Sequence, residues 1–180
     1  MDALVVFESM FGNTQAVAEA VAEGLAAGSM RVQVCEVGEA PALDELSVDL
    51  LVVGAPTHAF GLSRPQTRAE AAARTGGPVI SATCGVREWL AAAGRVPDGL
   101  RVPDGLRVAA FDTHVQTPMI PGWASHAEEK RLRRLGATMV DGACSFYVHG
   151  YTGPLLDGEL DRARGWGEQL AAGVGGALVG

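Results

Sequence analysis

Short, continuous apolar runs are the feature of this sequence that most constrains its fold. Residues 3–7 (ALVVF) and residues 50–53 (LLVV) carry no polar side chain and are rich in valine. Such runs are typical of strands buried on both faces, as in a parallel sheet covered by helices. Between them, residues 13–27 place apolar side chains at helical spacing. The sequence therefore predicts strands and helices that alternate around a parallel sheet.

The same patterns continue along the rest of the chain. The run at residues 50–53 belongs to a strand predicted over residues 49–55, and further strands are predicted at residues 31–37, 106–111 and 143–148. Further helices are predicted at residues 63–74, 86–93, 125–135 and 157–172. Two helix starts match the capping-box pattern, with Ser63 followed by Gln66 and Ser125 followed by Glu128. This order predicts a single doubly wound α/β domain over residues 1–180.

Charge and cysteine content narrow the function classes. The chain has 14 basic and 21 acidic residues in 180, a net charge of −7, which argues against nucleic-acid and anionic-membrane binding. The first residues lack the basic-then-apolar pattern of a secretory signal, so a cytoplasmic location is expected. The three cysteines show no CxxC spacing and the histidines are scattered, so reduced thiols and no metal site are expected.

A six-residue repeat interrupts the pattern. Residues 95–100 (RVPDGL) are followed at once by an identical copy at residues 101–106. Proline and glycine mark both copies as turns. The repeat is expected to be a surface insertion before the fourth strand, and a docking loop is the less favoured interpretation.

Candidate ligand-binding loops follow the strands. In an open parallel sheet, ligands bind beyond the carboxyl ends of the strands, which here points to residues 8–14, 56–62 and 112–122. In the first loop, Gly12 allows close backbone approach, and Ser9 and Thr14 supply hydroxyl groups at either end. The loop has no lysine and matches neither GxxxxGK[ST] nor GxGxxG. It predicts a phosphate monoester bound by neutral donors, with a plain N-capped turn as the alternative.

This loop resembles a known family. Ser9-Met10-Phe11-Gly12-Asn13-Thr14 is similar to the phosphate-binding loop of flavodoxins in its looser form, S-x-x-G-N-T. The likeness covers most of the chain and includes Gly54-Ala55-Pro56-Thr57 after the third strand. The resemblance implies a five-stranded parallel sheet of order 2-1-3-4-5, an FMN cofactor and a role in electron transfer.

The resemblance also assigns site residues. It implies that the FMN phosphate is held by Ser9, Met10, Phe11, Gly12, Asn13 and Thr14. The first loop around the flavin would be formed by Pro56, Thr57, His58, Ala59, Phe60 and Gly61. The second flavin loop would begin with Asp112, Thr113, His114 and Val115. Flavodoxins commonly place the flavin ring between a tryptophan and a tyrosine, which are missing from the expected positions here. Phe60 is the candidate for one ring face, with packing onto the core as its alternative. His114 or Trp123 is the candidate for the other face, although a hydrophobic staple is the preferred interpretation of Trp123.

Two redox functions and one non-redox function remain open at this point. The leading hypothesis is a cytoplasmic electron carrier that binds FMN and exchanges electrons with redox protein partners. The alternative is an NAD(P)H-dependent FMN oxidoreductase that reduces a quinone or similar acceptor, with Arg64 and Arg68 binding the nucleotide phosphates. A solvated helix face is the commoner role for two such arginines. The third hypothesis is a binding module that has lost the flavin. No catalytic side chain is assigned.

Overall fold

The computed structural model describes residues 1–58, 61–93, 102–103, 105–116 and 123–176. The strands are β1 (Asp2–Phe7), β2 (Arg31–Glu36), β3 (Leu50–Pro56), β4 (Arg107–Val115), β5 (Thr138–Met139) and β6 (Cys144–Val148). The helices are α1 (Asn13–Ala27), α2 (Pro65–Thr75), α3 (Val86–Ala93), α4 (Ala124–Arg134) and α5 (Glu159–Gly176), with a 3-10 turn at Leu43–Glu45.

The strands form one parallel sheet. Their order is β2-β1-β3-β4-β5, and β6 also pairs with β4. β5 pairs with the start of β4 at Arg107 and Val108, whereas β6 pairs with its later part from Phe111 to Val115. The two short strands therefore share the fifth position of the sheet. The expected order 2-1-3-4-5 is confirmed, with the fifth strand interrupted at residues 140–143.

Helices cover both faces of the sheet. Side chains alternate along β1, so Val5 packs in a core beneath α1 and α5, whereas Val6 packs in a second core beneath α3 and α4. Trp166 belongs to the first core and Trp89 to the second, and both are buried. The continuous apolar runs of the sequence exist because the central strands are covered on both sides.

Helix α2 lies against the loop after β1. Ala71 of α2 packs with Met10 and Val79 in a small third cluster. The segment after α2 is bonded to the same loop, because the Ser81 N–H donates to the Ser9 carbonyl at 2.8 Å. The first ligand-binding loop is thus held from outside by a segment that is distant in sequence.

Three sequence expectations need correction. β4 continues to Val115, so Asp112, Thr113, His114 and Val115 end a strand and do not begin a loop. Asp112, Thr113 and His114 are buried by partners from other elements, which a local pattern does not reveal. The boundaries of α2 and α4 also differ from expectation, since both helices lack the serine cap that was predicted. The N-cap residue of α2 is Arg64 and that of α4 is Trp123.

The repeat is partly described. Residues 94–101 and residue 104 lie outside the described residues. In the second copy, Val102 and Leu106 are buried, and the Val102 N–H donates to the Leu135 carbonyl at 3.1 Å. The expectation of a surface insertion is therefore wrong for these two residues, because their apolar side chains join the core beneath α3 and α4.

Candidate functional site

A cleft of about 220 Å³ lies at the carboxyl edge of the sheet. It is lined by most of the residues that the sequence singled out: Ser9, Met10, Phe11, Asn13, Thr14, Pro56, Thr57, His58, Thr113, His114 and Val115. The fold brings the ends of β1, β3 and β4 together here, as expected for a parallel sheet. Gly12, Gly61 and Asp112 do not line the cleft, and Ala59 and Phe60 lie outside the described residues.

The first loop presents backbone donors at the start of α1. Gly12 is the N-cap residue with φ +91°, a left-handed conformation that favours glycine. The N–H groups of Asn13, Thr14 and Gln15 have no acceptor within the helix because they belong to its first turn. With the helix dipole, these groups favour an anion such as a phosphate.

Other donors of this loop already have hydrogen-bond partners. The Gly12 N–H donates to Ser9 Oγ at 3.1 Å, and the Ser9 N–H donates to Ser81 Oγ at 3.0 Å. Thr14 Oγ1 shares a hydrogen bond of 2.7 Å with Thr113 Oγ1. These bonds fix the shape of the loop, and the first-turn amides of α1 take no part in them.

Backbone hydrogen bonds link His58 and Gly61 in the second loop. The His58 N–H donates to the Gly61 carbonyl at 2.8 Å, and the Gly61 N–H donates to the His58 carbonyl at 3.0 Å. Arg87 supports the following residues from α3 by donating from Nε to the Ser63 carbonyl at 2.8 Å. Burial lowers the pKa of His58 to about 4, and the charge of Arg68 lowers it as well. The His58 imidazole is therefore neutral at pH 7.

Asp112 organises the end of β4. It is fully buried, and its Oδ2 accepts from Thr57 Oγ1 at 2.7 Å. The same oxygen accepts the Ser125 N–H at 3.4 Å, and Thr57 Oγ1 accepts the Ala124 N–H at 2.9 Å. Side chains from β4 and the loop after β3 therefore cap α4, in place of the capping box predicted within the helix.

His114 and Trp123 form one wall of the site. Their rings stack with centroids 3.7 Å apart and an interplanar angle of 16°. His114 Nδ1 lies 3.2 Å from Asp112 Oδ1, and the Tyr147 ring meets the His114 ring edge-on. The two candidates for one flavin face thus stack on each other, and His114 is the member that lines the cleft. The stacking replaces the hydrophobic staple expected for Trp123.

Arg68 does not serve as a solvent-exposed anchor. Its side chain is 2% exposed, and its NH1 donates to Ser63 Oγ and Glu88 Oε2, both at 2.9 Å. Both sequence interpretations of Arg68, as a nucleotide anchor and as part of a solvated face, are therefore wrong. Arg64 is exposed.

Sequence reasoning missed an aromatic and charged group at one end of the cleft. Tyr151 lies 5.6 Å from Phe11 between ring centroids, and the Arg74 guanidinium lies 4.6 Å from the Tyr151 ring. Arg74 comes from the end of α2, and Tyr151 follows β6. The strand-end rule that selected the other loops would have found Tyr151, because it too lies beyond the carboxyl end of a strand.

Membrane and metal features are missing from the part of the chain that the structure describes. No helix there combines the length and apolar character that crossing a bilayer requires. The same residues contain no cluster of three or more histidine, cysteine, aspartate or glutamate side chains that could hold a metal ion.

The fold and the cleft define an α/β protein in which the first helix begins beside a cleft at the carboxyl edge of a 2-1-3-4-5 parallel sheet. The flavodoxin family model matches residues 5–171, so the chain belongs to the flavodoxin family. FMN is the cofactor of this family, whose fold serves electron transfer. No curated protein matched the chain in a sequence search.

Solved structures show the same fold. Oxidised Flavodoxin 1 from Bacillus cereus is 17% identical with a TM-score of 0.68, over 96% of this chain and 98% of that one. A flavodoxin from the domain Archaea is 20% identical with a TM-score of 0.61, over 97% and 99%. Rubredoxin oxygen:oxidoreductase from Desulfovibrio gigas is 12% identical with a TM-score of 0.64, over 99% of this chain but 37% of that one.

Proposed function

We propose that this protein binds FMN and carries single electrons between redox protein partners in the cytoplasm. The observation that carries the proposal is the start of α1, where Asn13 and Thr14 line a cleft between the ends of β1, β3 and β4 and the first-turn amides have no acceptor within the helix. Bound FMN supplies the redox chemistry, and the protein supplies position, electrostatics and access.

The residues divide into two groups around such a ligand. The amides of Asn13, Thr14 and Gln15 would hold the phosphate with the helix dipole behind them. The loop from Pro56 to Gly61 and the His114 side of the cleft would hold the ring system. Phe60 stays a candidate platform within this loop. The two groups lie on neighbouring strand ends, so one extended ligand can reach both.

The charge of the site supports a carrier with a low potential. The protein has a net charge of −7, and His58 beside the cleft is neutral at pH 7 because its pKa is about 4. A reduced, negatively charged flavin gains less stabilisation in such surroundings than beside a cluster of cations. We therefore expect the second electron to enter at a lower potential than in a basic site.

Binding of FMN tests the proposal directly. Purified protein titrated with FMN should change the flavin absorbance and bind one equivalent, and riboflavin should bind about tenfold or more weakly because it lacks the phosphate. Stepwise reduction of the complex should then show two separated one-electron steps. Protein that binds neither flavin would contradict the proposal, and so would a single two-electron step.

The structure supports the oxidoreductase alternative less well than the electron carrier. Its two proposed anchors were Arg64 and Arg68, and Arg68 is buried in an ion pair with Glu88. Arg64 alone stays exposed. Mixing the FMN-loaded protein with NADPH and a quinone separates the two functions. Steady oxidation of NADPH at a rate proportional to protein would favour the oxidoreductase, whereas its absence would favour the carrier.

A further inference from the structure

Three residues form a row across the central strands on the face covered by α3 and α4. Ala55 of β3 pairs with Asp112 of β4, and Glu8 follows β1 on the other side of β3. Since Val6 faces α3 and α4, the alternation of the strand directs Glu8 to the same face. Both carboxylates are fully buried, and two strand spacings separate them by roughly 10 Å over the small Ala55 side chain.

Side chains of α4 cover one half of this row. Glu128 and Ser125 lie one turn apart on the buried face of α4, and both are fully buried. The Ser125 N–H contacts Asp112 Oδ2 at 3.4 Å, which places this turn of α4 beside the Asp112 carboxylate.

Side chains near α2 and α3 cover the other half. Glu8 Oε2 accepts the Val86 N–H at the start of α3 at 2.8 Å. Arg68 and Ser63 reach the same place, because a methyl group added to Gly85 would come within 3.0 Å of Arg68 NH1, Ser63 Oγ and Glu8 Oε2 alike. We call the buried group of Glu8, Arg68, Asp112, Ser125 and Glu128 the acid chamber.

The acid chamber contains unsatisfied polar atoms. Among the described residues, the buried side-chain nitrogen and oxygen atoms without a hydrogen-bond partner are Glu8 Oε1, Arg68 Nε, Ser125 Oγ and both carboxyl oxygens of Glu128. All of them belong to the side chains that cover the row of Glu8, Ala55 and Asp112. Buried polar atoms are costly unless they are hydrogen-bonded, and internal water is the usual partner where several converge.

The carboxyl groups of the chamber differ in how many hydrogen bonds stabilise their negative charge. Asp112 accepts bonds from Thr57 and Ser125, and Glu8 accepts one at a helix start, where a negative charge is favoured. Glu128 accepts none from the protein. It is therefore the carboxyl group that is least stabilised as an anion.

We infer that the acid chamber is a hydrated proton-binding site, with its proton on Glu128, and that Asp112 and His114 couple this site to the candidate cleft. The coupling part rests on the proposed function. Asp112 borders the chamber, and its Oδ1 lies 3.2 Å from Nδ1 of His114, which lines the cleft. Negative charge that enters the cleft would strengthen proton binding at Glu128 across this short path.

The charged groups around Glu128 support this assignment. Burial raises the pKa of Glu128 well above its usual range, and the nearby carboxyl groups of Asp112 on β4 and Glu8 after β1 raise it further. Arg131 on the same helix opposes this shift. The positive charge of Arg68 on α2 is partly neutralised by Glu88 on α3, and His58 after β3 is neutral at pH 7.

Infrared spectroscopy of the protein without flavin tests the proton site. At pH 7 the protein should show the carbonyl stretch of a buried protonated carboxylic acid, and E128Q should lose it. The amide has nearly the same shape and no charge, so E128Q should fold at least as well as the parent at pH 7. The matched control is E129Q, because Glu129 is the next residue on α4 and pairs with Arg133 near the surface. A band that persists in E128Q, or disappears in E129Q, would overturn the assignment.

The coupling is tested on the FMN-loaded protein. Reduction should take up a proton in the pH range where Glu128 titrates, so the midpoint potential of the parent and E129Q should change slope with pH there. In E128Q this change of slope should be lost. An unchanged pH profile in E128Q would overturn the coupling, whereas failure of the parent protein to bind FMN would overturn the proposed function and leave the infrared result to decide the proton site.

Discussion

Arg74 is an unexpected positive charge in the cleft, at the end where we propose that the phosphate binds. It is the only arginine or lysine among the described residues that line the cleft, and its guanidinium lies 4.6 Å from the ring of Tyr151, which contacts Phe11. A cation so placed would attract the ligand phosphate but not the uncharged flavin ring. We predict that R74Q weakens FMN binding roughly three- to tenfold at low salt, as expected for a partly exposed charge pair, and leaves riboflavin binding unchanged.

The control for Arg74 removes the same charge elsewhere. Arg134 is exposed at the end of α4 and does not line the cleft, so R134Q should bind both flavins like the parent. Fluorescence titrations of FMN and riboflavin at low and high salt measure the effect, which should shrink as salt screens the charge. Equal losses for FMN and riboflavin in R74Q would show that the arginine shapes the cleft and does not contact the phosphate.

At the scale of elements, α1 and α5 meet through glycine. A Cβ added at Gly167 would lie 2.3 Å from the Val21 carbonyl oxygen, and one at Gly24 would lie 2.0 Å from the Arg164 carbonyl oxygen. Both neighbours are backbone atoms, so the helices would have to separate. We predict that G167A lowers the free energy of unfolding by about 2 kcal/mol or more, as overpacked core substitutions do.

The same helix offers a control for this contact. Gly165 lies on α5, and an added Cβ there would meet nothing within 4 Å. G165A should raise stability by about 0.5–1 kcal/mol, because alanine is the better helix former. Urea denaturation of the two variants without flavin measures both effects. A gain of stability in G167A would mean that the two helices tolerate a wider spacing.

The elements themselves could largely be predicted from the sequence. Apolar runs and helical periodicity located the central strands and α1 because burial on both faces leaves a strong local signal. The spacing of Ser125 and Glu128 gave a wrong prediction of the helix cap, because a capping box is a local motif. The start of α4 is instead capped by Asp112 and Thr57, which belong to other elements. The end of β4 was mistaken for a loop for the same reason, since its polar residues are buried by distant partners.

At the scale of the whole molecule, the loops of the site were predictable but the polar interior behind them was not. The rule that ligands bind beyond strand ends selected all three loops. The burial of Arg68 depends on Glu88, twenty residues further along the chain, and Glu8 is bonded to Val86 across the protein. Such pairs form only when the chain folds, so no local sequence pattern predicts them.

Buried ionisable groups make the free energy of unfolding depend on pH, and the two buried glutamates act in the opposite direction to His58. The pKa values of Glu8 and Glu128 are raised by burial, so the folded state keeps their protons above pH 4.5, where the unfolded state has begun to lose them. Their contribution to stability is present at low pH and is lost as pH rises through the folded-state pKa values. His58 behaves in the opposite way, because its pKa is lowered.

Comparison of two histidine variants isolates the contribution of His58. Its pKa falls from 6.5 to about 4 on folding, so the unfolded state binds more protons between these values. The contribution of neutral His58 is therefore complete above pH 6.5 and is lost as pH falls through 4, by up to about 3 kcal/mol. We predict that the difference in unfolding free energy between the parent and H58Q grows from pH 4 to pH 7 in urea titrations. The control is H126Q, which removes an exposed histidine of α4 and shows how far the loss of a histidine by itself changes the pH dependence. A difference for H58Q that does not exceed the one for H126Q would show that His58 is hydrated enough to keep its charge, and the cleft beside it would then be positive in mild acid.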